Sequence, residues 1–179
     1  MRTYAIKPKC FGSFVSRTNE FIHLRTRASP LLGYWTAEMG GINQVVHIWE
    51  YSSLSHRAQV RKSLGGDVEW KQQYLDVVLP MWQEQTNSLL SPLSPVIKSS
   101  EPGGAYLLKT YMNKKPQVSN AEGVTNIGVW QTLVGTTPSY VQLLRYSNID
   151  DITKDCINNS NQDNIQSKIL IPTVFSPLK

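Results

Sequence analysis

A pattern running from Gly33 to Ser52 recurs once in the chain at a constant offset, and this duplication constrains the fold more than any other feature. The first copy reads Gly33-Tyr34-Trp35, Gly40, Val46-His47-Ile48 and Tyr51-Ser52. The second reads Gly128-Val129-Trp130, Gly135, Val141-Gln142-Leu143 and Tyr146-Ser147, every pair 95 positions apart. Two versions of one folding unit predict a pseudo-symmetric molecule. They also move the search for function from a single loop to a surface or hollow made by two related sheets.

With 179 residues in total, each unit is near the size at which a core is marginal on its own, so the two are expected to lean on each other. The composition, 40% hydrophobic and 17% charged, is that of a globular chain. No apolar run reaches the roughly 18 residues of a membrane span, which predicts no integral membrane segment. The formal charge of +5 is uneven: nine Lys and Arg against three acids through Leu64, two against four from Gly65 to Ser100, and seven against six beyond. These basic residues form no dense cluster, and no phosphate loop or RNA-recognition consensus accompanies them, so nucleic acid is not an expected partner. Cys10 and Cys156 lack metal-type spacing and are expected to be reduced, structural thiols. Residues 1–27 hold Arg2, Arg17, Arg25 and Arg27 with Glu20 as the one acid, a balance suited to a mitochondrial presequence. Thr3 to Pro8 nevertheless reads as a strand and a helix start, so this segment is expected to belong to the fold.

Tyr4 to Lys7 alternates like a short strand. Phe11, Phe14, Val15, Thr18, Ile22 and the stem of Arg25 follow at helical spacing until Pro30 ends the run. Strands over 31–39 and 44–51 are joined through Gly40-Gly41 as a hairpin. Val46 and Ile48 point to one face, while Val45, His47, Trp49 and Tyr51 point to the other. Both faces are largely apolar, which predicts helices on one side and another sheet on the other. Ser53 caps a helix over 54–64 that Gly65-Gly66 ends. Asp67 caps a second run with Trp70, Tyr74, Val77, Val78 and Met81 on one face, where Pro80 implies a kink or two segments. An extended stretch over 89–97 closes the unit.

That order is the split βαβ arrangement of ferredoxin-like units. The predicted organisation is a first unit over 1–100, a linker at 101–104, and a second unit over 105–179. Strands at 105–112, 126–133, 140–148 and 169–175 repeat the plan with less helix. Tyr4 to Gly33 spans 29 positions but Tyr111 to Gly128 only 17; Tyr51 to Pro92 spans 41 but Tyr146 to Pro172 only 26. Residues 116–123 are too few and too polar for a covering helix, Asp150-Asp151 opens a brief helix through Ile152 and Cys156, and 158–162 are turn-forming. The outer face of the second sheet is therefore expected to be thinly covered, and the protein to self-associate.

The stretch Leu31-Leu32-Gly33-Tyr34-Trp35-Thr36-Ala37-Glu38-Met39-Gly40-Gly41-Ile42-Asn43-Gln44-Val45-Val46-His47-Ile48-Trp49-Glu50-Tyr51 closely resembles the hallmark of the NIPSNAP family. His23-Leu24-Arg25-Thr26 and Asp67-Val68-Glu69-Trp70 extend the resemblance, and the closing Leu170-Ile171-Pro172-Thr173-Val174-Phe175 resembles the NIPSNAP3-like branch. The resemblance implies an α+β fold of tandem ferredoxin-like (dimeric α+β barrel) repeats, the second shortened in its helices. It also implies a non-enzymatic adaptor that binds other proteins in vesicular transport and mitochondrial quality control (mitophagy). Mitochondrial localisation follows from the resemblance, with a cytoplasmic location as the alternative and peripheral membrane contact allowed. No catalytic residues and no cofactor accompany the family.

The residues themselves offer an alternative. Glu38, Asn43, His47 and Glu50 are candidates to line the inter-sheet space and bind a small molecule, or to serve a cofactor-independent enzyme near His47. At the repeat-equivalent positions Glu38 becomes Leu133, His47 becomes Gln142 and Glu50 becomes Arg145, so any such site belongs to the first unit. His23, His47 and His56 have no ligand-type partners at helical spacing, and no metal site is expected. Trp35, Trp49, Trp70 and Trp82 are expected in the core or at the interface between units.

Overall fold

The first repeat places three strands and its helices where the apolar spacing predicts them and adds a fourth strand that the spacing does not mark. Strand β1 (Arg2–Ile6) leads through a 3-10 turn into helix α1 (Phe11–Thr26), which buries Phe14, Thr18, Ile22, Leu24 and Arg25. Strands β2 (Leu31–Met39) and β3 (Gln44–Trp49) form the hairpin. Its turn takes positive φ at Gly40 (78°) and Asn43 (52°), and Gly41 does not share in it. Helix α2 (Leu54–Gly66) starts where the Ser53 hydroxyl accepts the His56 N–H at 3.0 Å. A π-wound segment (Trp70–Leu75), a short α3 (Asp76–Val78) and a 3-10 turn (Leu79–Met81) follow. A computed structural model describes residues 1–117, 122–135, 139–158 and 164–179.

Strands β4 (Trp82–Asn87) and β5 (Leu89–Pro92) are separated by Ser88 alone. The second repeat supplies β6 (Ala105–Met112), β7 (Val124–Val134), β8 (Ser139–Tyr146), helix α4 (Asp150–Asn158) and β9 (Ile165–Pro172). All nine strands form one antiparallel sheet in the order β4-β1-β3-β2-β9-β6-β8-β7-β5. Within it, β4-β1-β3-β2 and β9-β6-β8-β7 are the same ferredoxin-like order twice. Because the two ends of the series, β4 and β5, are nearly continuous in the chain, the sheet closes on itself and leaves few free edges.

The repeats are joined by reciprocal exchange. Trp35 pairs with Pro172 and Ala37 with Leu170 across β2 and β9; Trp130 pairs with Pro92 and Thr132 with Leu90 across β7 and β5. The first partners differ by 95 positions and the second by 80, so both junctions have one register, and each carries its irregularity at the same place. Trp35, Val46, Ile48, Tyr106, Ile127, Trp130, Val141, Leu143 and Leu170 pack together between the two halves. On the opposite face Tyr4, Phe14, Ile22, Tyr34, Val45, Tyr74 and Val78 pack beneath the first-repeat helices. The prediction of a sheet covered on both sides is met in this way.

Four local readings differ from the structure. Strand β4 has the polar sequence Trp-Gln-Glu-Gln-Thr-Asn, because it has β1 as neighbour on one side and exposes most of its side chains, leaving no alternating signal. Val77 is 39% exposed: π winding adds a residue to the turn, and Tyr74 and Val78 take the buried positions instead. Gly65-Gly66 do not end α2 in a left-handed turn; the helix runs through both and opens at Asp67 (φ −80°, ψ 105°). The second sheet is better covered than its short helix implied, since α4 alone buries Leu107, Leu144, Tyr146 and Ile152. No helix appears between β6 and β7 among the described residues, and the turn-forming 159–162 lies outside them.

A Cβ added to Gly33 meets the Trp35 ring at 2.2 Å, whereas one added to Gly12 in α1 meets nothing within 4 Å. Since Trp35 is fully buried and cannot retreat, Gly33→Ala is expected to destabilise by about 1–3 kcal/mol in urea unfolding. Gly12→Ala is expected to be neutral or stabilising by up to about 1 kcal/mol. Equal effects of the two would contradict the packing described.

Candidate functional site

The helix-facing side of the first sheet does not fill completely. A cavity of about 600 Å³ remains there, within the range of small-molecule sites. Its sheet side carries Arg2 and Tyr4 from β1, Tyr34 from β2, His47 and Trp49 from β3, and Trp82 from β4. Arg25 of α1, Arg57 and Arg61 of α2, and Trp70 and Tyr74 of the π segment complete it.

His47 lies at the centre of the sheet, 4% exposed. The Tyr34 ring stacks on it at 4.7 Å and Tyr4 meets it edge-on at 4.8 Å. Its Nδ1 accepts the Trp49 indole N–H at 2.6 Å. An indole only donates, so the neutral imidazole keeps its proton on Nε2. That Nε2–H has no partner among the described residues. Burial holds the His47 pKa well below the ordinary histidine value, with Arg2 and Arg25 acting in the same direction. The Trp82 indole N–H is also buried without a partner among the described residues, while the Tyr34 hydroxyl lies beside the Thr18 hydroxyl, which donates to the Phe14 carbonyl and bonds Tyr74. Each such group costs about 1–3 kcal/mol when left unmet.

The charge of the cavity has one sign. Arg2 donates to the Tyr4 hydroxyl at 2.5 Å. Arg25, 8% exposed, donates to the Ser29 and Tyr51 hydroxyls at 2.6 and 2.7 Å and lies 4.0 Å from the Trp49 ring. These partners are neutral, and burial lowers the pKa of Arg25, partly offset by Tyr51. None of the described lining residues is acidic. None of the four arginines is ion-paired among the described residues.

At the equivalent place in the second repeat the polar side chains bond one another. Arg2 pairs with His47 across β1 and β3, as Lys109 pairs with Gln142 across β6 and β8. Gln142 accepts from the Tyr111 hydroxyl at 2.9 Å and donates to Asn126 at 3.1 Å, while Lys109 is ion-paired to Asp155 of α4. The polar groups at the counterparts of Arg2 and His47 are met internally.

The four residues singled out from sequence do not converge. His47 lines the cavity, on the helix side of the sheet and not in the inter-sheet space, which is filled by the Trp35 and Trp130 cluster. Glu38 is exposed near the end of β2, Asn43 sits in the hairpin turn with its carbonyl accepting from Ile6, and Glu50 is ion-paired to Lys98 at 2.9 Å. His23 is exposed and His56 bonds Ser52. No group of three or more His, Cys, Asp or Glu able to hold a metal occurs among the described residues. Sequence reading missed Arg2, Arg25, Arg57 and Arg61 as a group. The signal was the charge excess before Leu64, which has no local clustering because the four arginines come from three elements.

The NIPSNAP family model matches residues 1–95. The chain is 32% identical to human Protein NipSnap homolog 3A over 210 aligned positions, covering 99% of this chain and 84% of that protein. The chain belongs to the NIPSNAP family. Mouse Protein NipSnap homolog 3B is also 32% identical over the same shares, which places the chain on the NIPSNAP3-like branch. The 210 aligned positions exceed this NIPSNAP chain's 179 residues by 31, so the relative carries segments absent here. A structure from Agrobacterium tumefaciens, 30% identical, covers 54% of the NIPSNAP chain and 95% of its own length with a TM-score of 0.51. A candidate monooxygenase from Lactobacillus acidophilus covers 97% of this chain at 9% identity and a TM-score of 0.58; that likeness shows the shared fold alone. No helix among the described residues is long and apolar enough to cross a membrane.

His47 gives the site a pH signature. Its folded pKa lies below the unfolded value of 6.5, so the unfolded chain binds the proton first and stability falls as pH drops below about 6.5. The expected contribution is about 1.4 kcal/mol per pH unit until the folded pKa is reached. Urea midpoints measured from pH 8 to 5 should show this slope on top of one from the buried Met1 amino group, whose pKa burial pushes down from 8.0 to about 5; His47→Gln should remove the part that begins near pH 6.5, and an unchanged slope below that pH would place its titrating group elsewhere.

Proposed function

We propose that this NIPSNAP chain acts by binding, and that its first repeat holds a small molecule between the sheet and helices α1 and α2. The observation that carries this reading is the unpartnered His47 Nε2–H in a cavity of about 600 Å³, where the equivalent Gln142 has its partners. Binding is favoured over catalysis by the lining itself. It contains no carboxylate, thiol or lysine among the described residues, and His47 has Nδ1 already engaged. Mass spectrometry of the denatured protein, purified without exchange into denaturant, is expected to release a stoichiometric organic compound that is absent from His47→Trp protein. Protein that is empty from several expression hosts, and that captures nothing from a metabolite extract, would end this reading.

The adaptor role implied by the family, association with other proteins at mitochondria or vesicles, is a second reading. It is favoured by exposed apolar side chains at repeat-equivalent hairpin ends: Met39 (62% exposed) and Ile42 (83%) in one, Leu133 (56%) and Val134 (64%) in the other. Light scattering and affinity capture should show self-association or specific partners that Ile42→Ser and Leu133→Ser weaken. A monomer with unchanged capture in both variants would dismiss these hairpins. Imaging of the C-terminally tagged chain tests the mitochondrial assignment, and diffuse cytosolic signal would overturn it.

A further inference from the structure

We infer that the occupant of the first-repeat cavity is an oxyanion, a carboxylate or phosphate, carried on a flat unsaturated body. The inference rests on the ligand-binding reading above and adds the chemical class. The second repeat supplies the template. Helices α2 and α4 begin at equivalent places, because Ser53 and Asn148, which accept the first helical N–H groups, lie 95 positions apart. The same offset matches Val60 to Asp155 and Arg57 to Ile152. In the second repeat the Asp155 carboxylate reaches down from its helix onto Lys109, 5% exposed. In the first, Arg2 stands in the place of Lys109, the position 95 residues before Asp155 is the buried Val60, and Arg57 and Arg61 line the cavity together with Arg2. An internal anion is thus present in one repeat and replaced by further cations in the other.

The buried state of Arg25 points the same way. A desolvated guanidinium with only neutral partners is costly, and an anion is the complement that recovers the loss. Arginine also offers a fork of N–H donors that fits two oxygens at once. Aromatic rings form much of the remaining lining, where Tyr34, Trp49, Trp70 and Trp82 present surfaces suited to a flat partner, beside Ile22 and Leu64 and the neutral polar Gln85 and Asn87.

Calorimetric titration of the full chain with 1-naphthoate, 1-naphthyl phosphate and the neutral 1-naphthamide tests this. At least one anion should bind roughly ten-fold more tightly than the amide, and Arg25→Gln should remove that advantage. Arg57→Gln, at a half-exposed position, serves where Arg25→Gln fails to fold, and a few-fold loss confined to the anions is expected. Naphthoate against naphthyl phosphate then separates the two oxyanions. If the amide binds as well as either anion, the cavity binds ligands but the charge inference is wrong. If none of the three binds and the protein releases no compound on denaturation, the inference and the ligand-binding reading fall together.

Discussion

Each repeat gives its last strand to the other, and everything else in the molecule depends on that exchange. Strand β9 stands between β6 of its own repeat and β2 of the first, while the β4–β5 run stands between β1 and β7. A four-stranded sheet of this size has one face to cover and two edges to protect. The exchange meets both demands at once, by closing the ring and by bringing the inner faces together over Trp35, Trp130 and Tyr106. The identical register at both junctions leaves no freedom to slide, since a slip of one residue would turn the inner side chains outward.

The middle of the inner face is filled by the Trp35 and Trp130 cluster, and it is on the outer faces that the repeats have diverged. The second repeat keeps one short helix and uses it to bury its sheet, with Asp155 meeting Lys109 and Gln142 bonded on both sides. The first keeps two longer helical stretches, and a cavity that Tyr34, Trp49, Trp70 and Trp82 help line remains beneath them. The result is one aromatic, arginine-lined cavity in a molecule with an almost symmetric backbone. Loss of symmetry in side chains, on a repeated plan of strands, is what localises this cavity to the first repeat.

Much of the fold was legible because duplication and periodicity are properties of neighbouring residues. The hairpin over β2 and β3, its copy in β7 and β8, the helix from Phe11, the Ser53 cap and the shortening of the second repeat all follow from spacing. Strand β4 was not legible: an edge strand exposed to water has little reason to alternate, and Gln83, Glu84 and Gln85 are exposed. Of the candidate site, His47 was legible as a buried polar residue on an apolar strand face. Its companions were not, because Glu38, Asn43 and Glu50 lie close in sequence yet at different ends and faces of the hairpin.

Local chemistry alone established that one α+β plan occurs twice in the chain, that the first hairpin is apolar on both faces, and that the residues through Leu64 are basic. These are consequences of pattern and composition. Only the tertiary structure decided which face became a filled interior and which kept a cavity, and that Arg2, Arg25, Arg57 and Arg61 share one hollow without an acid. Such convergence arises from the pairing of strands and the seating of helices far apart in the chain, and no short stretch of sequence carries information about distance across a sheet.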